Sequence, residues 1–181
     1  GYAVSQGVSA TIDFTLMNGL NANIGASLMD VSQVENGTRQ RQLLSERFSG
    51  VWKISYEWAK HKMNFDYTGN VYSPMLLPLL GDLDQRSPTS PWYSTQNLKI
   101  SKSFKNVEIY FGGKNLLNFT PANNSIARSF DPFDKQVQTN VNGDVVPTAN
   151  NPQALSFDPT YVYASNQGIR FYLGLNYTLS H

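Results

Sequence analysis

The sequence predicts an all-β protein: one antiparallel sheet of about seven strands, with short turns at one end and long loops at the other, forming a segment of a transmembrane β-barrel. Three observations predict it. Apolar and polar residues alternate with a period of two along seven stretches, as in strands whose two faces meet unlike surroundings. The connections alternate between tight and long, so every tight turn falls at one end of the sheet, the pattern of outer-membrane barrels. In six of the seven strands charge keeps to one parity: Asp13, Lys53, Glu57, Asp66, Glu108, Lys114 and Arg170 all avoid the apolar face of their strands.

Composition narrows the class. Charged residues are 15% of the 181, against about 25% in an ordinary soluble domain, and aromatics reach 13%. Lys and Arg (14) balance Asp and Glu (13), which gives nucleic-acid binding no electrostatic support. A hydrophobic share of 40% argues against disorder. The absence of Cys removes disulfide frameworks, zinc ribbons and thiol catalysis. The longest strongly apolar run, Met75 to Leu80, is broken by Pro78 and falls far short of the ~18 residues of a membrane helix. Gly1 to Ser5 have neither a basic start nor an apolar core and so carry no secretory signal; if the protein is exported, the signal lies upstream.

The first strand alternates Val8, Ala10, Ile12, Phe14 and Leu16 with Ser9, Thr11, Asp13 and Thr15, and Asn18-Gly19 offers a tight hairpin turn. The second returns through Leu20, Ala22, Ile24, Ala26 and Leu28, followed by a polar connection from Glu35 to Arg41. The third sets Phe48, Gly50, Trp52, Ile54, Tyr56 and Trp58 on one face and turns through Ala59 to Lys62. The fourth carries Met63, Phe65, Tyr67, Gly69 and Val71, and then Ser73 to Pro91 form a long loop whose four prolines exclude a central strand. The fifth, about Trp92 to Phe104, is the weakest, since Lys102 falls on the apolar parity. Lys105-Asn106 make the next turn, Val107 to Lys114 the sixth strand, and Gly112-Gly113 are a candidate bulge. A connection of more than forty residues, Thr120 to Gln167, exceeds ordinary loop lengths, and Asn142-Gly143 within it predict a small hairpin. The last strand places Ile169, Phe171, Leu173, Leu175, Tyr177 and Leu179 opposite Arg170, Tyr172, Gly174, Asn176 and Thr178.

A charge facing lipid at mid-bilayer costs ~2–4 kcal/mol, which gives the uncharged face a physical reason. Trp58, Phe104 and Tyr177 at the turn end and Phe48, Trp92 and Phe119 at the loop end fit interfacial girdles, and Lys102 can snorkel at the turn end. A soluble calyx with an apolar interior, a ligand-binding or adhesive β-domain, would alternate in the same way. Seven strands are odd, whereas single-chain bacterial barrels are even and closed. The chain is therefore expected to be the end of something larger.

Tyr72-Ser73-Pro74-Met75-Leu76-Leu77-Pro78, Asp84-Gln85-Arg86-Ser87-Pro88, Ser90-Pro91-Trp92-Tyr93, Asn97 to Phe104 and above all Gly112-Gly113-Lys114-Asn115-Leu116-Leu117-Asn118-Phe119 carry a family resemblance. The chain resembles the C-terminal barrel strands of TonB-dependent outer-membrane receptors over nearly its whole length. The resemblance implies a barrel of about 22 strands around a plug domain, of which residues 1–181 are about the last third. It implies import of a scarce nutrient, an iron-siderophore complex or similar metal chelate before cobalamin, haem or oligosaccharide, with energy from the TonB complex reached through an N-terminal part and plug that this sequence does not include. It places the chain in the outer membrane of a Gram-negative-type bacterium, in contact with its lipid, with the C-terminus on the periplasmic side. The ending Leu179-Ser180-His181 departs from the aromatic ending usual in that membrane.

Candidate chemistry is sparse. Gly112-Gly113-Lys114-Asn115 lack the first Gly and the Ser/Thr of a phosphate loop, and Asp82-Leu83-Asp84 are followed by Arg86 where a calcium loop needs its third ligand. His61 sits in a turn between two lysines and His181 is terminal, so neither has a base-and-nucleophile setting, and no enzyme or cofactor is expected. Ser129-Phe130-Asp131-Pro132 recur as Ser156-Phe157-Asp158-Pro159, either as paired Asp-Pro turns or as part of a ligand-gripping surface with Asp134, Tyr161 and Tyr163. Asp82, Asp84, Arg86, Trp92 and Tyr93 are likewise either a rigid lip and girdle or ligand contacts at the barrel mouth. Parity assigns Asn21, Asn64, Asp66, Lys99 and Arg170 to the lumen or the plug surface.

Overall fold

The computed structural model describes residues 1–79, 86–121, 137–149, 154 and 162–179. Its framework is an antiparallel meander: β1 (Tyr2–Met17), β2 (Leu20–Glu35), β4 (Phe48–Trp58), β5 (Met63–Tyr72), β6 (Tyr93–Phe104), β7 (Val107–Lys114) and β10 (Arg170–Tyr177), each paired with the next, while β3 (Thr38–Arg41) pairs with β2. The sheet thus has eight strands and is open, with β1 and β10 at its edges. Among the described residues no helix is long and apolar enough to cross a membrane.

Tight turns form where local chemistry allows a left-handed backbone. Gly19 has φ 83°, and an added Cβ would lie 2.5 Å from the Glu57 carbonyl oxygen, so only glycine suits the first turn. The β4–β5 turn is a single 3₁₀ turn, Ala59–His61, closed by Lys62 at φ 51°. The expected hairpin in the last connection exists as β8 (Gln138–Thr139) and β9 (Val145–Val146), where the Asn140 side chain accepts from the Asn142 and Asp144 backbone N–H groups.

Three expectations are corrected. The connection from Glu35 to Arg41 is mostly strand: Asn36-Gly37 turn the chain, and Thr38–Arg41 return along β2. β1 and β2 therefore run 16 residues each, past the end of β4, whose pairing with β2 stops at Leu28. The signal lost there is parity, because beyond Leu28 the formerly apolar positions hold Asp30 and Ser32, which pair with Arg39. Gly112-Gly113 host no bulge, since both are paired in unbroken register with β6 and β10. The glycines serve ring packing instead, as described below.

The Pro-rich connection is ordered wherever it is described. Leu76 bridges Thr89, the Leu77 N–H donates to the Pro88 carbonyl, and the Ser90 N–H donates to the Met75 carbonyl. Met75 and Leu77 are buried there. By contrast the apolar side chains of the strands lie open: Ile12, Phe171 and Leu173 are 63%, 63% and 75% exposed. The apolar face of the sheet has no cover within the described chain.

Candidate functional site

Alternate residues of a strand face opposite sides of a sheet, and here the register keeps the alternation aligned across all seven strands of the meander. One row on the polar face runs Thr15, Asn21, Ser55, Asp66, Lys99, Gly112, Tyr172 from β1 to β10. The row beside it runs Asp13, Asn23, Lys53, Thr68, Asn97. Neighbours bond along these rows: the Thr15 hydroxyl donates to Asn21 Oδ1 at 2.8 Å, Asn23 Nδ2 to Asp13 Oδ1 at 2.5 Å, and Ser55 Oγ to Asp66 Oδ1 at 2.7 Å. Asn97 Nδ2 donates to Thr68 Oγ1, and Asn176 Nδ2 to Glu108.

All five residues read from parity as lumenal share this face. Asp66 and Lys99 stand directly opposite each other, Asn21 is one strand away across Ser55, and Asn64 lies between Glu57 and Ser101. Arg170 lies at the edge opposite Lys114, a like-charge pair. Two open troughs indent the face: about 640 Å³ over Asp13, Thr15, Asn21, Asn23 and Lys53, and about 490 Å³ over Lys53, Asp66, Lys99, Lys114 and Tyr172.

Sequence reasoning missed the aromatic part of this face. The rings of Tyr172 and Tyr110 fill the space beside Gly112 and Gly174, where a Cβ would come within 2.3 and 2.2 Å of ring atoms. Lys114 and Lys99 place their ammonium groups 5.8 and 5.2 Å from these two ring centres. The signal is a Gly directly across from each Tyr, and it is visible only once the register is known.

The opposite face is as uniform. Its rows include Phe14, Ala22, Ile54, Tyr67, Leu98, Gly113, Phe171, and, nearer the turns, Leu20, Tyr56, Phe65, Ile100, Phe111, Leu173. Where polar atoms occur they satisfy one another: the Tyr67 hydroxyl donates to Gln96 Oε1 at 2.7 Å. The band is bounded by charge, with the Asp30–Arg39 ion pair above the Leu28 row and Lys102 near the turns.

At the loop end Trp92 is 57% exposed on the apolar side and packs on Phe48 at 6.0 Å, as a girdle residue does. Phe119 is not in that girdle: its ring stacks on Tyr93 at 5.0 Å, on the polar side, with Tyr72 and Tyr163 alongside. Tyr93 is buried and its hydroxyl donates to the Tyr163 carbonyl, so the two hold the last connection down onto β6. Arg86 is buried within the lip. Ser73 Oγ accepts the backbone N–H groups of Arg47 and Phe48, and Arg41 reaches the Ser45 and Pro74 carbonyls. Burial, and then the nearby Arg47, lower the Arg41 pKa, which leaves an arginine fully charged. Asp82, Asp84, Asp131, Asp134, Asp158 and Tyr161, and the Ser-Phe-Asp-Pro repeat, lie outside the described residues.

The polar face can hydrogen-bond water, a hydrophilic solute or a polar polypeptide along its whole width. Among the described residues no group of three or more His, Asp or Glu side chains is placed to share a metal ion. No protein-family model matches the sequence, and no curated protein matches it either.

Proposed function

We propose that this chain is the C-terminal part of a transmembrane barrel in a bacterial outer membrane, a TonB-dependent transporter that binds and imports a scarce nutrient, an iron-siderophore complex or similar metal chelate. One observation carries the membrane reading: the register gathers the apolar residues of seven strands onto one uncovered face, and the polar residues onto the other. In lipid that arrangement removes ~25 cal/mol per Å² of apolar surface from water. The β2–β4 pairing spans nine positions, Leu20 to Leu28, the ~9–11 residues of a tilted crossing.

Closure supplies a second support. Consecutive antiparallel pairing makes β1 and β10 run in the same direction. An all-antiparallel barrel then needs an odd number of further strands between them, and lipid tolerates no open edge. A TonB-dependent barrel of about 22 strands would supply that odd remainder. The polar troughs would line the lumen against a plug, and the aromatic cluster at the loop end, with Trp92 beside it, would form the mouth.

Heat-modified gel mobility with detergent partitioning of the complete protein tests the membrane reading. Folded species that require detergent are expected. A compact, water-soluble monomer without detergent would make the apolar face an interior and the protein a soluble ligand-binding β-domain. Uptake of iron chelates that persists after the TonB complex is removed would overturn the energised part alone.

A further inference from the structure

The two turns that join β4 to β5 and β6 to β7 concentrate positive charge. Positions 58–63 and 102–107 hold Lys60, His61, Lys62, Lys102 and Lys105, with no Asp or Glu. The turns touch, since the Ser103 N–H donates to the Lys62 carbonyl at 2.9 Å and Met63 stands opposite Lys102. All four lysines are exposed, and among the described residues the ion pair Asp30–Arg39 lies at the other end of the sheet. The acids that flank these turns in sequence, Glu57 and Glu108, are on the polar face, and Glu108 is held by Asn176.

This cluster continues the apolar band. Lys102 stands in the row Trp58, Met63, Lys102, Ile109, Leu175, and its ammonium sits 5.5 Å from the Phe104 ring centre. Trp58 closes on His61 with ring centres 4.1 Å apart. The Trp58 and Phe104 rings and the Lys102 stem thus lie on the apolar side, and the turns at its lower border carry four exposed lysines. A lipid with acyl chains and an anionic headgroup matches both halves, whereas a free acidic solute would match only the charges.

We propose that this turn-end rim binds anionic phospholipid headgroups, Lys60, Lys62, Lys102 and Lys105 holding the phosphate between them while the acyl chains lie along Trp58, Phe104 and Ile109. The proposal rests on the membrane reading above. Each lysine near a charged bilayer contributes attraction that salt screens within a Debye length.

Spin-label spectroscopy of the complete protein in phosphatidylcholine bilayers, probed with spin-labelled phosphatidylglycerol and phosphatidylcholine, separates the two questions. The total motionally restricted lipid reports whether a lipid-facing surface exists. The ratio of restricted phosphatidylglycerol to phosphatidylcholine reports selectivity. A ratio of about twofold or more at low salt is expected, falling toward one in high salt and in K60Q/K62Q/K102Q/K105Q, but unchanged in K53Q/K99Q on the polar face. Restricted lipid with a ratio of one in the wild type overturns the proposal and leaves the membrane reading standing, with an acidic protein as the partner to seek. Selectivity that survives the quadruple variant also overturns it. No restricted lipid at all overturns the membrane reading itself. Should the quadruple variant not fold, the wild-type ratio and its salt dependence still decide.

Discussion

Single side chains decide how closely the strands can lie. Tyr172 occupies the space that a Cβ at Gly112 would need, so G112A must push the ring and its Lys114 contact aside. The expected loss is ~1–2 kcal/mol in urea unfolding from bilayers, within the range of overpacking. In a Y172A background the same substitution should cost almost nothing, and equal losses in both backgrounds would show that the ring is not the obstacle. Ser73 poses the opposite case, a small group whose removal leaves partners behind. It is buried and accepts two backbone N–H groups, so S73A should destabilise by ~1–3 kcal/mol and open the lip to proteolysis in the segment 42–47 and in the connection from Ser73 to Pro91. A lip as resistant as the wild type in timed digestion would count against this role.

Individual elements show the facing rule most clearly in β10. Phe171 is 63% exposed in a middle row of the apolar face, while Asn176, on the polar face, lies against Glu108. F171R is expected to lose ~2–4 kcal/mol of bilayer stability, measured by folding into vesicles, while N176R should fold as the wild type because it faces water and an acid. Equal folding of the two would defeat the facing assignment. The β1–β2–β3 projection obeys a different rule. Above Leu28 its charges pair with each other, so it stands clear of the apolar band, and deleting residues 32–39 with a two-residue turn in their place should leave membrane folding intact.

The whole molecule is governed by its edges. β1 is exposed along all 16 residues, and among the described residues no strand pairs with the far side of β1 or β10, so both edges present unpaired backbone groups there. On the barrel reading proposed above, the 181-residue chain alone is expected to associate in water and in detergent, whereas the closed barrel should sediment as one discrete folded species. A monodisperse monomer of the isolated chain in sedimentation velocity would mean that the edges satisfy each other. Parallel pairing of β1 with β10 would then have to be the closure.

Periodicity of two made the strands legible from residues alone, because Val8 to Leu16 or Ile169 to Leu179 repeat a physical constraint every second position. Turns such as Asn18-Gly19 were legible because few residues adopt their backbone angles. β3 was not legible, since a strand outside the apolar band has no reason to alternate. Phe119 was misplaced because position along the chain does not say which side a ring takes after Asn115 turns the backbone at φ 52°. Residues read as candidate ligand contacts met the same limit: Arg86 and Tyr93 are buried while Trp92 is exposed, which packing decides and composition does not.

The sequence by itself determined that this protein is an antiparallel sheet with two unlike faces and unlike ends, because pleat, turn chemistry and the cost of misplaced charge act locally. Only the tertiary structure decided what stands beside what: the Tyr-over-Gly pairs, the Asp66–Lys99 opposition and the lysine rim formed by two separate turns. Those depend on strand register, which joins residues 33 to 64 positions apart and is set by the sum of cross-strand contacts rather than by any one residue.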